Sequence, residues 1–409
     1  MKQSKLFTKT TKENPKDEVS RNAQLLIRAG FIDKLMAGVY TILPLGLIVM
    51  NKIENIIREE MNSVGGQEIF MPTLQPKDNW LKTQRWDSMD DLYKVKDSSG
   101  HEMALGPTHE EIVVPLMDRF IKSYKDLPFS VYQFQNKFRM EMRSKSGILR
   151  GREFVMKDLY SFHLNEKDLD EYYDLIAETY KKIFKRAGIG DVTYMTYASG
   201  GLFSKYSHEF QAVTPAGEDL IYICKNCSLA INREIIADIK ACPGCGQNDY
   251  REEKSIEVGN IFKLMTRFTE PFNLKAMNEK GEPMEILMGC YGLGLGRLMG
   301  TAVEIHHDDK GIIWPESIAP FRVHLISIKQ NEEALKIYNK LKNMRVEVLF
   351  DDRDDVQAGT KFADADLIGC PIRLVVSEKT LKEDSVEFKK RNESEAKLIK
   401  INEVVDILK

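Results

Sequence analysis

Apolar residues at Met50, Ile53, Ile56, Ile57, Met61 and Val64 recur every three to four positions, and Gly65-Gly66 interrupts the run. The spacing predicts a long helix that feeds a strand, "QEIFMP", ending at Pro72. A second helical period passes through Leu169, Tyr172, Tyr173, Ile176, Tyr180, Ile183, Phe184 and Ala187, with Asn165 placed as N-cap and Gly188 as stop. Between the two, "FSVYQFQNKFRME" and "REFVMKDLYSFH" are rich in aromatic and β-branched residues, which predicts paired antiparallel strands joined around Gly147. From Phe321 the pattern becomes strand "FRVHLISI", a helix over 332–344, strand "VEVLF", a helix near "KFADADLIG" and strand "IRLVV". Such a βαβαβ run predicts a small α/β domain with a largely parallel sheet. The change of pattern near Ala319 and Pro320 divides the chain into 1–319 and 320–409.

Composition narrows the class. At 409 residues, 43% hydrophobic and 30% charged, the chain is expected to fold as more than one globular domain. A net charge of −3 means that any contact with nucleic acid must come from local patches. The segment "MKQSKLFTKTTKENPKDE" has no apolar signal core, and no run of about 18 apolar residues occurs, so no membrane role and a cytoplasmic location are expected. Four of the six cysteines form two pairs, Cys224-x2-Cys227 and Cys242-x2-Cys245, with 14 residues between the pairs. That spacing brings four thiolates to one tetrahedral ion, most simply zinc, in a small insertion over 218–252. Four protein ligands leave no open position, so the expected role is structural. Iron fits the same ligands, and coincidental spacing of reduced thiols is the alternative.

Three stretches carry candidate chemistry. In "FRMEMRSKSGILRGREF", residues 138–154, Arg139 and Glu141 alternate, as residues on one face of a strand do. The pair fits a phosphate clamp with a carboxylate for an amino group, and equally a cross-strand ion pair. In "MGCYGLGLGRLMG", glycines at 292, 294 and 296 follow period two, unlike the G-x-G-x-x-G of a dinucleotide turn, because position 297 is arginine. One strand face stripped of side chains suits a flat ligand beside Arg297, or close packing of a helix. In "GPTHEE", Thr108 and Glu110 suit an ammonium or hydroxyl group, whereas Thr108 with Glu111 suits a helix capping box. No G-x-x-x-x-G-K-[ST] occurs, which excludes a P-loop.

In this order the segments resemble the class II aminoacyl-tRNA synthetases, and over nearly the whole chain they resemble the prolyl-tRNA synthetase family of bacterial type. The helix and strand ending at Pro72 are similar to motif 1, the dimer element; "FRMEMRSKSGILRGREF" to motif 2; and "GLGLGR" to motif 3. "GPTHEE", "REFVMKDLYSFH", "SHEF", "MGCYG", "KGIIWPESIAPF" and "DDRDDVQAGTKFADADLIGCPIRLVV" resemble further family signatures. The resemblance implies an α+β catalytic domain, an antiparallel sheet flanked by helices, followed by a C-terminal α/β anticodon-binding domain. It implies ATP-dependent ligation of L-proline to tRNA(Pro) through prolyl adenylate, with magnesium, by a homodimer. Arg139 would hold the α-phosphate, Glu141 the adenine amino group and Phe154 the adenine ring. Arg150 and Arg297 would hold the terminal phosphates, with Glu257 assisting the metal. Thr108, Glu110, Met156, Asp158, Tyr160 and Phe210 would form the proline pocket. Arg143 and Lys145 would reach the tRNA acceptor end, and Arg353, Lys361, Lys389 and Arg391 are candidate anticodon-domain contacts or solvated surface charges.

The chain departs from the family pattern in places. The large editing insertion between motifs 2 and 3 is replaced by the cysteine pairs, so Ala-tRNA(Pro) is expected to escape hydrolysis by this polypeptide, leaving a free-standing editing factor as a partner to look for. "RSKSG" replaces R-P-R-x-G, Asn260 stands where histidine is usual, and "GGLFSKYSHEF" is longer than usual. A non-catalytic paralogue and a class II enzyme for another amino acid are the competing readings.

Overall fold

The apolar period of the first helix is realised in α1 (Pro44–Ser63), where Ile53, Ile57 and Met61 are fully buried, and Gly65 at φ +80° ends it. In this computed structural model, which describes residues 1–142, 146–200 and 206–408, the chain forms two compact units. One comprises Met36–Tyr40 and Ile53–Thr301, the other Met1–Leu35, Thr41–Lys52 and Ala302–Lys409.

In the first unit the predicted strand after α1 is short, β1 (Gly66–Glu68), because its far end leaves the sheet and Phe70 is 78% exposed. Helix α2 (Glu110–Met117) follows, then β2 (Phe129–Phe138) and β3 (Glu153–His163), which pair antiparallel as the sequence predicts, with the Gly147 segment in the connection. Helix α3 (Glu166–Arg186) starts at Asn165, whose side chain accepts from the Asp168 N–H, and stops before Gly188 at φ +81°. The further strands of the main sheet, and the helix after them, are β4 (Thr193–Ser199), β5 (Tyr206–Val213), β6 (Asp219–Cys224), β7 (Ala230–Asn232), β8 (Tyr250–Met265), β9 (Leu287–Gly294) and α4 (Leu295–Ile305). They complete a nine-stranded sheet of order β5-β4-β7-β6-β8-β9-β3-β2-β1. It is antiparallel except for β1–β2 and β4–β7.

Strand alternation gives this sheet two different faces. On one, Lys157 donates to the Tyr180 hydroxyl of α3 at 2.6 Å, and Gly259 lets the Tyr180 ring approach, since a Cβ there would lie 3.1 Å from it. On the other face, Phe154, Met156 and Asp158 look away from α3 into a cavity.

In the second unit, β10 (Val323–Ile328), α5 (Asn331–Asn343), β11 (Val348–Asp351), α6 (Ala358–Ile368) and β12 (Ile372–Ser377) realise the predicted βαβαβ run. β10 is parallel to β11 and β12. Two antiparallel strands, β13 (Ser385–Lys390) and β14 (Lys397–Lys400), extend the sheet to the order β11-β10-β12-β13-β14. Charged and short, they carry too little alternation to be read from sequence. Val323, Leu325, Ile337, Leu341, Phe350, Leu374 and Val386 form the core.

Candidate active site and metal centre

Register places three adjacent strands side by side on the open face of the first unit. Gly294 pairs with Met156, Gly292 with Asp158 and Cys290 with Tyr160, while Asn260 and Phe262 of β8 oppose Gly292 and Cys290 from the other side. The middle strand therefore presents backbone between two rows of side chains, a groove floor. A Cβ built at Gly292 or Gly294 would meet nothing closer than 3.6 Å and 3.5 Å, so the protein's own packing does not require glycine at either position. Close helix packing, the other explanation of the glycine row, applies instead at Gly300, where a Cβ would lie 2.8 Å from Leu149. Gly296 belongs to the first turn of α4 and not to the strand, which corrects the reading of a continuous three-glycine face.

The groove is the floor of a cavity of about 530 Å³ lined by Arg139, Glu141, Arg150, Phe154, Met156, Asp158, Glu257 and Arg297, together with Thr108 and Glu110. Arg139 and Glu141 lie just beyond the end of β2, so their shared direction comes from the turn and not from strand alternation. The Met140 N–H bonds to the Asp91 carbonyl at 2.8 Å, which holds that turn. Arg139 donates to the Pro107 carbonyl at 3.3 Å and lies 5.4 Å from the centre of the Phe154 ring. Arg297, in the first turn of α4, donates to the Leu149 carbonyl at 2.9 Å and to the Glu257 carboxylate at 3.2 Å. Arg150 bridges Glu141 at 3.2 Å and Glu218 at 2.7 Å. The pKa of Arg139 is lowered by burial, and the charge of Arg297 adds to that, so the two guanidiniums share one field. A polyanion would relieve that repulsion.

At the other end, Glu110 is fully buried. It accepts from the Thr108 hydroxyl and from the Cys290 thiol at 3.3 Å, with Arg85 at 3.8 Å. Arg85 pairs more closely with Glu111, at 2.9 Å, and Thr83 also donates to Glu111. Burial pushes Glu111 up to about 7 despite Arg85. The capping box at Thr108 and Glu111 does not form: His109 is the N-cap and makes no side-chain cap. Beside Glu257 sits an acidic group that the sequence reading missed. Burial, and after it Glu257, pushes Glu209 up to about 8, and Asp219 is raised for the same two reasons. A bulge opposite Phe210 and Gln211 shifts the register of β8 so that Glu257 and Val258 both line the cavity. Among the described residues only the four cysteines form a group of three or more donor atoms within 4.8 Å of one another, so these carboxylates are not drawn together into a cation site of their own.

Other expected residues lie elsewhere. Phe210 is 1% exposed and packs between Tyr180 and Phe184 of α3, on the sheet face away from the cavity, which corrects its assignment to the pocket. Tyr160 does not line the cavity; it sits beneath it, donating to Asp158 at 2.9 Å. Arg143 and Lys145 lie outside the described residues. In the second unit Arg353 is held by Asp351 at 2.6 Å and Asp364 at 2.8 Å, buried Lys361 donates to the Ser327 carbonyl at 2.7 Å, and Arg391 forks onto Asp308 at 2.6 and 2.8 Å. Their charge is consumed internally, a correction to their reading as RNA contacts. Lys389 is half-buried on β13 and keeps partial access to solvent. Asn260, noted in the sequence only as a departure from the family pattern, lines the cavity, whereas Arg85, Cys290 and the carbonyl of Leu149 were not foreseen as site groups, because no spacing rule links segments so far apart in sequence.

Cys224, Cys227, Cys242 and Cys245 bring their sulfurs within 4.8 Å of one another, with Cys224–Cys245 at 3.6 Å and Cys227–Cys242 at 3.5 Å. Four sulfurs at zinc–thiolate bond length would stand about 3.8 Å apart, so the donor set fits zinc. The Leu229 and Gln247 amides point at the sulfurs of Cys227 and Cys245. Gly244 packs so closely that a Cβ would lie 3.3 Å from Cys227 Sγ.

Residues 93–306 match the family model of the tRNA synthetase class II core domain (G, H, P, S and T), and 320–409 match that of the anticodon binding domain. The chain is 39% identical over 425 residues to a proline--tRNA ligase of Anaplasma phagocytophilum (strain HZ) and 40% identical over 422 residues to one of Wolbachia pipientis wMel, each match covering 99% of both chains. It is 33% identical to a proline--tRNA ligase of Sulfurihydrogenibium sp. (strain YO3AOP1) in an alignment of 558 positions that covers 99% of this chain and 98% of that one. Set against 409 residues, at least 149 of those positions have no counterpart here. A solved structure, Giardia lamblia prolyl-tRNA synthetase in complex with prolyl-adenylate, shares the fold with a TM-score of 0.78 at 22% identity, covering 93% of this chain and 74% of that one.

Proposed function

The chain belongs to the proline--tRNA ligases of the class II aminoacyl-tRNA synthetases, and from that premise we propose that it joins L-proline to tRNA(Pro) through prolyl adenylate. A proline carboxylate oxygen attacks the α-phosphorus of ATP and the bond to pyrophosphate breaks. A hydroxyl of the tRNA's terminal adenosine then attacks the prolyl carbonyl and AMP leaves. The observation that carries this reading is the convergence of Arg139, Arg150 and Arg297 on a glycine floor that internal packing does not explain.

Arg139 takes the α-phosphate, where negative charge grows during attack. Phe154 and Glu141 take the adenine, and Arg150 and Arg297 the terminal phosphates. Thr108 and Glu110 accept the two N–H groups of proline's secondary ammonium beside Met156 and Asp158. Magnesium, when bound, withdraws electron density from the phosphate oxygens and eases loss of pyrophosphate; Glu257 is the carboxylate nearest Arg297 for holding it. The four thiolates hold structural zinc. Positioning and charge stabilisation suffice, with no covalent enzyme intermediate.

We also keep a domain boundary near 319/320 with the cysteine insertion over 218–252, a cytoplasmic homodimer, Lys389 as an anticodon-domain contact, and the lack of editing in cis. The last is supported by the alignment positions that this chain leaves empty, and by the small penalty for a missing methylene, about 1–3 kcal/mol, which leaves alanine poorly rejected. Pyrophosphate exchange into ATP with proline, against alanine, threonine and glycine, tests the main reading; faster exchange with threonine or glycine would overturn it. Rapid deacylation of Ala-tRNA(Pro) by the purified protein would overturn the absence of editing.

A further inference from the structure

Beneath the cavity lies a buried polar ring that, apart from the pocket residue Asp158, takes no part in the reaction as described. Lys137 Nζ donates to His109 Nδ1 at 2.7 Å and pairs with Asp158 Oδ1 at 2.8 Å. Tyr160 donates to Asp158 Oδ2 at 2.9 Å and accepts from the His109 backbone N–H at 3.1 Å, which closes the circuit. His109, Lys137 and Tyr160 are inaccessible and Asp158 is 2% exposed. Because Nδ1 of His109 accepts from Lys137, Nε2 carries the proton and donates to the Pro72 carbonyl at 3.2 Å. Burial, and then the charge of Lys137, lowers the His109 pKa to about 4, so the imidazole is neutral and this tautomer is consistent.

The ring joins β2, β3 and the segment 107–110. Its grip on that segment is at His109, the residue between Thr108 and Glu110. Gln75 adds a bond to the Thr108 carbonyl at 2.8 Å from the other side. The backbone that carries both substrate-facing groups is thus pinned at successive residues, while Glu141, Arg150, Phe154 and Arg297 take no part in the ring.

We propose that Lys137 and His109 are positioning residues of the amino-acid subsite, holding Thr108 and Glu110 in register for the substrate ammonium through the Lys137–His109–Tyr160–Asp158 ring. The role assigned to that subsite rests on the functional reading above; the ring itself does not.

Two substitutions of His109 in the full-length protein separate its bonds. Gln places its amide nitrogen at the Nε2 position and has nothing at Nδ1, so His109→Gln keeps the bond to Pro72 and loses Lys137. Asn places an oxygen at Nδ1, so His109→Asn keeps Lys137 and loses Pro72. Loss of one hydrogen bond to a charged group predicts a proline KM raised about tenfold in His109→Gln and roughly threefold or less in His109→Asn, with the ATP KM within about twofold in both. Lys137→Met should match or exceed His109→Gln if it folds. Hydrogen exchange of the peptide spanning 106–112, read on substrate-free protein, should quicken in His109→Gln and stay near wild type in His109→Asn. Equal exchange or equal proline KM in the two variants overturns the ring, as does an ATP KM that moves in step with the proline KM. If exchange distinguishes the variants while the wild type activates another amino acid, the ring stands and the proline reading alone has failed.

Discussion

The arginines of the two units differ in what surrounds them. Arg353 and Arg391 are held by carboxylates: Asp351 and Asp364 for the first, both oxygens of Asp308 for the second, with the Asp366 carbonyl at 3.0 Å beside it. Arg139 is held by the carbonyl of Pro107, and Arg297 by the carbonyls of Leu149 and Glu257 together with the Glu257 carboxylate at 3.2 Å. A carbonyl orients a guanidinium without cancelling its charge. The first pattern makes a scaffold, whereas the second, with one carboxylate in direct contact for two guanidiniums among the described residues, leaves positive charge for a bound anion to meet. Identical residue types therefore carry opposite assignments, decided by the partner.

Substitution at both kinds of site is the most direct way to break this contrast. Arg139→Ala or Arg297→Ala should reduce kcat/KM for pyrophosphate exchange about a thousandfold, some 4 kcal/mol of lost transition-state stabilisation, with an unchanged melting temperature. Arg353→Ala should do the reverse. It leaves Asp364 without its cation and the fully buried Asp351 with only Lys361 at 3.7 Å, at a cost of about 3–4 kcal/mol in urea denaturation, while proline-dependent exchange by the folded protein persists. Full stability of Arg353→Ala, or full activity of Arg139→Ala, would erase the distinction.

That distinction was only half legible in the sequence. Periodicity located α1, α3 and the β2–β3 pair because each is an amphipathic or aromatic-rich element whose pattern is local. The cysteine centre was legible because its ligand spacing is itself the signal. Arg139, Glu141, Arg150 and Phe154 could be grouped through one contiguous segment and its family resemblance, and they line one cavity. Arg353, Lys361 and Arg391 could not be told from surface charge, since their partners Asp364, Ser327 and Asp308 come together only through tertiary packing. Phe210 was misplaced for a related reason: alternation says that a strand has two faces but not which one meets α3. The bulge beside it, which brings Glu257 to the cavity, left no mark in residue type.

A smaller test sharpens the same contrast within β9. Gly289, on the α3 side of the sheet, would place a Cβ 2.3 Å from the Tyr291 hydroxyl and 2.7 Å from that of Ser161, so Gly289→Ala should destabilise the fold by about 1–3 kcal/mol. Gly292→Ala, three residues on and facing the cavity, meets nothing closer than Met156 at 3.6 Å. It should melt like the wild type yet lose about tenfold in kcat/KM, because the added methyl occupies space meant for ligand. A melting temperature that falls as far for Gly292→Ala as for Gly289→Ala would mean that both glycines serve packing alone.

Carboxylates extend the comparison to pH, with the mildest expected effect. Asp351 lies below its ordinary pKa because Arg353, Lys361 and His324 together outweigh burial, so its contribution to stability is lost as pH falls through the acid range. Glu209, near the cavity, has the opposite sign: burial first, and then Glu257, raises it from 4.5 to about 8. Between those two values the folded chain retains a proton that the unfolded chain has released. Stability must therefore decline as pH rises, by at most about 1.4 kcal/mol per pH unit. Glu209→Gln keeps the size of the side chain and removes the titration. Urea denaturation at pH 5, 6, 7 and 8 should show a flatter decline in Glu209→Gln than in wild type. Parallel slopes would mean that the carboxylate is already ionised, and that a neighbouring cation supplies the compensation which sets the second unit apart from the first.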